Sequence, residues 1–198
     1  MATRRSSTTH SQADKPAGAD AVREAILDAA IRLLDERGTT DVSLREIARA
    51  ANVNHGLVHR HFGTRNDVLT EVFQRQSQRG AMRLTNAPDL GTALAHLHAL
   101  PDTRRYARLL AAALLDDVEP EAIAAGPSVR QLLALAGADG AGQHDGSAAP
   151  LAAAVCLVLG WGVFGEFITA SAGLKGRKAQ ALNKDMAAIL RQLVAPPT

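Results

Sequence analysis

A helical period runs through almost the whole chain and limits what it can fold into. From Val22 to Leu34, apolar residues recur at i, i+3, i+4, i+7 and i+8, which places them on one face of a helix. Eight further segments, the last ending near Leu193, also have the pattern of helices, and none alternates as a half-buried strand does. Aromatic residues make up only 3% of the chain, which also disfavours strands. The sequence therefore predicts an all-α protein of about nine helices.

Breaks in this pattern divide the chain into three parts. Residues 1–19 are rich in Ser, Thr and Arg and lack an apolar stretch, so we expect a disordered arm and no secretory signal. Residues 20–84 form a first helical domain, including a linker helix, and Asp20 is the expected cap of its first helix. Residues 88–198 form a larger helical domain with a glycine-rich, flexible loop at 137–147.

Two short predicted helices joined by a tight turn lie within the first domain. The first begins with a capping box, in which Ser43 and Glu46 satisfy each other's backbone amides. Asn52 follows at the turn, where Asn tolerates positive φ, and Asn54 is a good N-cap for the second helix. Such a pair in a three-helix unit presents its second helix to the DNA major groove. We therefore predict a helix-turn-helix between Ser43 and Phe62.

The outward face of the second short helix carries hydrogen-bond donors and no acid. A solvated helix face usually mixes charges of both signs, whereas this face suits DNA, whose base edges and phosphates accept hydrogen bonds. Leu57 is expected to be an exposed apolar residue on it. The residues predicted here to contact DNA are Asn54, His55, Gly56, Leu57, His59, Arg60 and His61.

About residues 20–70 resemble the DNA-binding domain of TetR-type (tetracycline-repressor-like) transcriptional regulators. The resemblance is carried by Ser43-Leu44-Arg45-Glu46-Ile47-Ala48, Ala51-Asn52-Val53-Asn54-His55-Gly56, His61-Phe62 and Arg65-Asn66-Asp67-Val68-Leu69. It implies that Arg65 contacts a DNA phosphate, and Ser43 is predicted to lie at the DNA as well. It also implies a homodimer on a palindromic operator of double-stranded DNA.

Two positions depart from the usual pattern of that family. Asn52 stands where the turn commonly has Gly, and Gly56-Leu57-Val58-His59 replaces the common Gly-Thr-Leu-Tyr. The family's tyrosine typically contacts a phosphate, a role that His59 can also fill, more strongly when protonated. These departures leave the predicted fold intact and the operator sequence open.

The second domain resembles the family only in its general character, since it is helical and apolar but carries no matching motif. The resemblance implies a small-molecule cavity, with His96, Tyr106, Leu110, Trp161 and Phe164 as candidate lining residues. Aromatic residues at helical spacing are also common in an ordinary core, so this assignment stays open.

The resemblance also implies that the last two helices form a dimer interface. The final helix would contribute Leu182, Met186, Ile189, Leu190 and Leu193. The uncharged run 148–165 would pack beside it, and Gly160, Gly162 and Gly165 would let helices approach closely across a twofold axis.

The uncharged run is predicted to be a helix buried on all sides. Pro150, the three glycines and the following Glu166 argue against a membrane span, so no membrane partner is expected. Cys156, the one cysteine, lies in this run and excludes an internal disulfide, and a buried, inert thiol is expected.

Enzyme and metal functions find little support. No nucleophile, base and orienting acid are paired, so we expect neither an enzyme nor a cofactor. His55 and His59 lie one turn apart, but a third metal ligand is missing.

Two functional hypotheses remain. The first is a cytoplasmic regulator, a repressor that a small apolar ligand releases from its operator. The alternative is a ligand-free helical module that docks a partner protein through the same helices. Salt dependence separates the two, because only DNA binding should weaken steeply through counterion release.

Overall fold

The computed structural model describes residue 16 and residues 18–124, 126–137 and 148–195. These residues form ten helices and no strand, which confirms the all-α prediction. The helices are α1 (Ala19–Arg37), α2 (Leu44–Ala50), α3 (His55–Phe62), α4 (Arg65–Leu84), α5 (Leu90–Ala99), α6 (Pro101–Leu115), α7 (Pro120–Ala124), α8 (Pro127–Leu135), α9 (Ala148–Ser171) and α10 (Arg177–Leu193). The predicted arm and the predicted loop lie almost entirely outside the described residues.

Two details of the predicted helices are wrong. The helix α7 was missed, because its five residues span too little of a period to show in the sequence. Asp20 does not cap α1; the N-cap is Gly18, and Asp20 lies within the first turn. A carboxylate there still interacts favourably with the positive end of the helix dipole.

A first hydrophobic core holds α1 to α4 together. Its fully buried members include Ile26 on α1, Val58 on α3 and Val68 on α4. The same core continues into Leu109 and Ala113 of α6 and into α7. The core of α1 to α4 therefore extends into the second half of the chain.

A second hydrophobic core joins the linker helix α4 to the later helices. Leu84 at the end of α4 packs with residues of α5, α8, α9 and α10, among them Leu94, Leu132 and Leu190. The most extensive helix contacts in this half pair α5 with α10 and α6 with α9. α4 thus belongs to both cores and connects them.

The helix α9 is less buried than its sequence predicts. Phe164 is 58% exposed and Phe167 is 70% exposed, and Cys156, expected to be buried, is also exposed. By length and composition alone, Ala149–Ser171 qualifies as a membrane-spanning helix, with 33% of its most apolar window buried. An uncharged sequence does not specify which sides of a helix neighbours will cover, and here one side is left open.

Candidate DNA-binding surface and ligand cavity

The turn between α2 and α3 has the geometry that the sequence predicts. The capping box is present, with the Ser43 hydroxyl accepting from the Glu46 amide and the Glu46 carboxylate accepting from the Ser43 amide at 2.9 Å. Asn52 has φ of 56°, in the left-handed region. The side chain of Asn54 accepts a hydrogen bond from the Gly56 amide at 2.8 Å and caps α3. These local bonds define where each short helix begins.

Packing decides which side of α3 faces outward. Val58 and Phe62 are buried against the first core, and the guanidinium of Arg23 lies 5.0 Å from the centre of the Phe62 ring. Leu57 also packs against this core and is half-buried, so the expectation of a fully exposed apolar residue there is wrong. Its side chain lies at the border between the buried and the open face.

The open face of α3 carries imidazole and guanidinium groups. His59 and Arg60 are exposed, whereas His55 and His61 are half-buried. Nδ1 of His59 donates to the Gly63 carbonyl oxygen at 2.8 Å, which leaves Nε2 for an outside partner. The rings of His55 and His59 meet edge to face with centroids 4.7 Å apart. Within the described residues, no three His, Cys, Asp or Glu side chains are grouped so that they could hold a metal ion.

Arg65 and Ser43, the two outlying residues of the predicted DNA contact, already have partners. Arg65 donates to the carbonyl oxygens of Thr40 and Val42, the latter at 3.3 Å, and to Asp116 at 3.4 Å. Ser43 is exposed but donates to Glu46 at 2.7 Å. The sequence does not reveal this role for Arg65, because its partners are backbone carbonyls and a residue 51 positions away.

A cavity of about 270 Å³ lies among the helices α4 to α9. Two of the five predicted lining residues, Tyr106 and Leu110, are on its wall. Most of the remaining wall is aliphatic, and it includes Leu94, Leu97, Leu132, Val155 and Val158. The predicted set consists mainly of aromatic residues and does not include this aliphatic wall. The aliphatic residues have the spacing of ordinary helix packing, so the sequence does not distinguish them from a core.

The other three predicted lining residues lie outside this cavity. His96 points to solvent, Phe164 is exposed on α9, and Trp161 is buried between helices. Nε1 of Trp161 donates to Asn183 on α10 at 2.8 Å, and its ring lies 6.1 Å from that of buried His98. Burial lowers the pKa of His98 and favours its neutral form. Trp161 therefore joins α9 to α10 and does not form the cavity wall.

The predicted dimer residues of α10 divide into two groups. Leu190 is fully buried in the second core of the single chain, so its assignment to an interface is wrong. Ile189 and Leu193 are exposed, and Leu182 and Met186 are half-buried. Residues 189 and 190 are adjacent on a helix and so face about 100° apart. The periodicity identifies the apolar stripe of α10, but it does not show which residues of that stripe are buried by the other helices of the chain.

Two of the three glycines of α9 have close neighbours within the chain itself. A Cβ at Gly162 would lie 2.7 Å from the Cβ of Ala107, so Gly162 allows α6 to pack closely on α9. A Cβ at Gly165 would lie about 3.0 Å from the Trp161 ring. A Cβ at Gly160 would meet nothing within 4 Å. The close approach predicted between protomers is thus found at Gly162 between two helices of the same chain.

Comparison with known proteins assigns these features to one class. The family model for bacterial regulatory proteins of the tetR family matches residues 26–72, which include α2, α3 and the turn between them. The chain is 33% identical over 171 residues to the HTH-type transcriptional repressor Rv3405c of Mycobacterium tuberculosis, covering 80% of this chain and 81% of that protein. It is 39% identical over 56 residues to the regulator AcrR of Shigella flexneri, covering 28% and 26% of the two chains.

Solved structures share the whole fold at lower identity. A HlyIIR mutant matches with a TM-score of 0.55 at 20% identity, covering 86% of this chain and 97% of the other. The multidrug binding protein EbrR, solved with imidazole, matches with a TM-score of 0.54 at 22% identity, covering 89% and 96%. These matches extend the likeness from the helix-turn-helix to the later helices. The chain belongs to the TetR family of bacterial regulators and is a DNA-binding transcriptional regulator.

Proposed function

We propose that this regulator is a cytoplasmic, homodimeric repressor that binds a palindromic operator through α3 and is released by a small apolar ligand. The observation that carries the proposal is the open face of α3, which presents His59 and Arg60 and has no acid. Donors on an exposed helix suit the acceptors of phosphates and base edges. The contact set would be the residues predicted from the sequence, with Arg65 and Ser43 at its margins.

Dimerisation is supported by the apolar residues left open on the last two helices. Phe164, Phe167 and Ile168 on α9 and Ile189 and Leu193 on α10 are exposed. Exposed apolar patches of this kind mark interaction sites, and a twofold interface buries the same patch on both subunits. Such an interface also explains why α9 is long and apolar without requiring a membrane.

Release by a ligand is supported by the position of α6. Its residues Tyr106 and Leu110 line the cavity, while Leu109 and Ala113 of the same helix lie in the core shared with α1 to α4. A ligand that favours one position of α6 therefore has a physical connection to the DNA-binding helices. Only a difference in ligand affinity between the two positions would shift DNA binding.

Selection of binding sites from a pool of random DNA duplexes with the full chain tests the operator proposal. We expect a twofold-symmetric site, whose affinity falls steeply with salt through counterion release. Arg60→Ala should weaken binding to the selected site, whereas Arg130→Ala, a matched exposed arginine on α8, should not. A selected site without symmetry would contradict the dimer, and an affinity insensitive to salt would favour docking of a protein partner.

A further inference from the structure

The charged residues on the cavity wall include more guanidinium groups than carboxylates. Arg79 and Arg83 of α4 and Asp102 of α6 all lie on the cavity wall. Arg83 and Asp102 form an ion pair at 2.7 Å, and Arg105 lies 4.0 Å from the same carboxylate. Arg79 forms no ion pair and no hydrogen bond with any residue that the structure describes. Among the described wall residues, Arg79 is therefore a guanidinium without an ion pair, whereas the Asp102 carboxylate is paired.

One further acid lies near these charged residues without belonging to the wall. Asp35 on α1 is close enough to Arg79, Arg105 and Asp102 for their charges to act on it. Burial is the largest influence, and it raises the pKa of Asp35. Arg79 attracts this carboxyl group electrostatically, but the described residues include no ion pair between the two, and the exposed Arg79 side chain can still meet a carboxylate at the cavity.

Tyr106 adds a second donor inside the cavity. Its ring packs edge to face on Phe73 at 5.7 Å, which holds the side chain in place. Burial raises the pKa of Tyr106, so its phenol stays protonated at neutral pH. The hydroxyl has no hydrogen-bond partner among the described residues, and Tyr106 is one of the residues that line the cavity. A hydroxyl in this position favours a ligand that accepts a hydrogen bond.

Resting on the proposed function, we infer that the effector is a small monocarboxylate with an apolar body, whose carboxylate binds Arg79 at the cavity wall. A guanidinium holds a planar carboxylate through two parallel hydrogen bonds. A single guanidinium without an ion pair matches a single negative charge better than the double charge of a phosphate monoester. A cationic ligand should bind more weakly for two reasons. It would have to displace Arg83 from Asp102, and the positive charge of Arg79 would repel it.

The cavity volume also indicates the scale of the apolar body that it can hold. At about 30 Å³ for each water molecule, 270 Å³ corresponds to roughly nine waters. A straight chain of about eight carbons is of this scale. Its methylene groups would contact Leu94, Leu110 and Leu132, and burial of each would favour binding through the hydrophobic effect.

Three probes with the same chain test the charge selection. The full-length protein is titrated calorimetrically with octanoate, octan-1-ol and octylammonium below their aggregation concentrations. We expect octanoate to bind roughly tenfold more tightly than octanol, as a charge-assisted hydrogen bond would give, and octylammonium to bind most weakly. Octanol binding as tightly as octanoate, or no binding by any probe, would overturn the inference.

Two variants of α4 separate Arg79 from its paired neighbour. Arg79→Gln should reduce octanoate affinity to that of octanol and leave octanol affinity unchanged. Arg83→Gln should leave Asp102 with only the more distant Arg105, and so improve octylammonium binding relative to octanoate. Unchanged octanoate selectivity in Arg79→Gln, with thermal unfolding confirming a folded protein, would show that Arg79 is not the anion site.

Release from the selected DNA is measured separately with the same probes. If octanoate binds with the expected selectivity but does not release DNA, the ligand class stands and ligand-controlled repression fails. If octanol releases DNA as well as octanoate does, ligand control stands and the anion selection fails. The two proposals are thereby tested independently.

Discussion

The Thr40 hydroxyl donates a hydrogen bond to the Asp116 carboxylate at 2.6 Å, although the two residues are 76 positions apart. Thr40 lies buried between α1 and α2, and Asp116 follows the end of α6. The guanidinium of Arg65 bridges the same pair by donating to the Thr40 carbonyl oxygen and to Asp116. This contact attaches the entry of the helix-turn-helix to the helix that lines the cavity.

Loss of the Asp116 carboxylate should loosen this attachment. We expect Asp116→Ala to accelerate amide hydrogen exchange around Val42 and to weaken DNA binding several-fold, because Thr40 and Arg65 lose their shared acceptor. Asp116→Asn keeps an acceptor for Thr40 and removes the charge near Arg65, so its effect should be smaller. Equal exchange rates in the wild type and in Asp116→Ala would contradict a linking role.

Arg65 is predicted to act on DNA as well as within the protein. If its guanidinium also contacts a phosphate, Arg65→Ala should lower the slope of log affinity against log salt by roughly one unit. The loss of its hydrogen bonds to Thr40 and Val42 should reduce stability but leave that slope unchanged. Affinity measured across salt concentrations on specific and random DNA distinguishes the two roles. An unchanged slope would restrict Arg65 to the internal contact.

Phe62 should contribute strongly to the stability of the first domain. Its side chain is buried in the first core with the Arg23 guanidinium over its ring, and Phe62→Ala should reduce the free energy of unfolding by about 3–5 kcal/mol. Leu115, 85% exposed at the end of α6, is the control, and Leu115→Ala should change it by less than about 0.5 kcal/mol. Denaturant unfolding measures both. Similar losses for the two variants would contradict the packing of α3 described above.

Neighbouring leucines of α10 should respond differently to an introduced charge. Leu190→Asp buries a charge in the second core and should unfold that half of the protein. Leu193→Asp, or Phe167→Asp on α9, changes an exposed residue and should yield a folded monomer with weak operator binding. Sedimentation and circular dichroism separate folding from assembly. A wild-type monomer at low micromolar concentration that binds its operator tightly would contradict the proposed dimer.

The capping box of α2 should respond to acid. Hydrogen bonds from Arg37 and from Ser43 lower the pKa of Glu46 from 4.5 to about 2. Because the folded-state pKa is the lower one, the carboxylate stabilises the fold above pH 4.5, and this stabilisation is lost as pH falls toward 2.

Unfolding of the wild type and of Glu46→Gln across this pH range tests the linkage. The difference in their free energies of unfolding should be largest near neutral pH and shrink below pH 4.5. Glu121→Gln on α7, an exposed carboxylate without an ion pair in the described residues, is the control. A difference between wild type and Glu46→Gln that does not vary with pH would show that the charge of Glu46 is unimportant.

The helix-turn-helix could be predicted because its determinants are local. A capping box needs two residues three positions apart, as in Ser43 and Glu46, and a left-handed turn needs one tolerant residue, Asn52. The buried side of α3 follows from the period of Val58 and Phe62. Each signal lies within one or two helical turns of the feature it determines.

Burial and long-range pairing were decided by the tertiary structure. Ile189 and Leu190 are equally apolar, yet only the packing of α10 on α5 buries Leu190 and leaves Ile189 open. The sequence makes Trp161 a candidate for the cavity wall, but its indole donates to Asn183 on another helix and lies outside the cavity. Asp116 carried no signal in the sequence, because its partners Thr40 and Arg65 come near only when α6 packs on the first core. Periodicity gives each helix an apolar side, but the arrangement of its neighbours determines which part of that side is covered and which part remains available for a ligand or a second subunit.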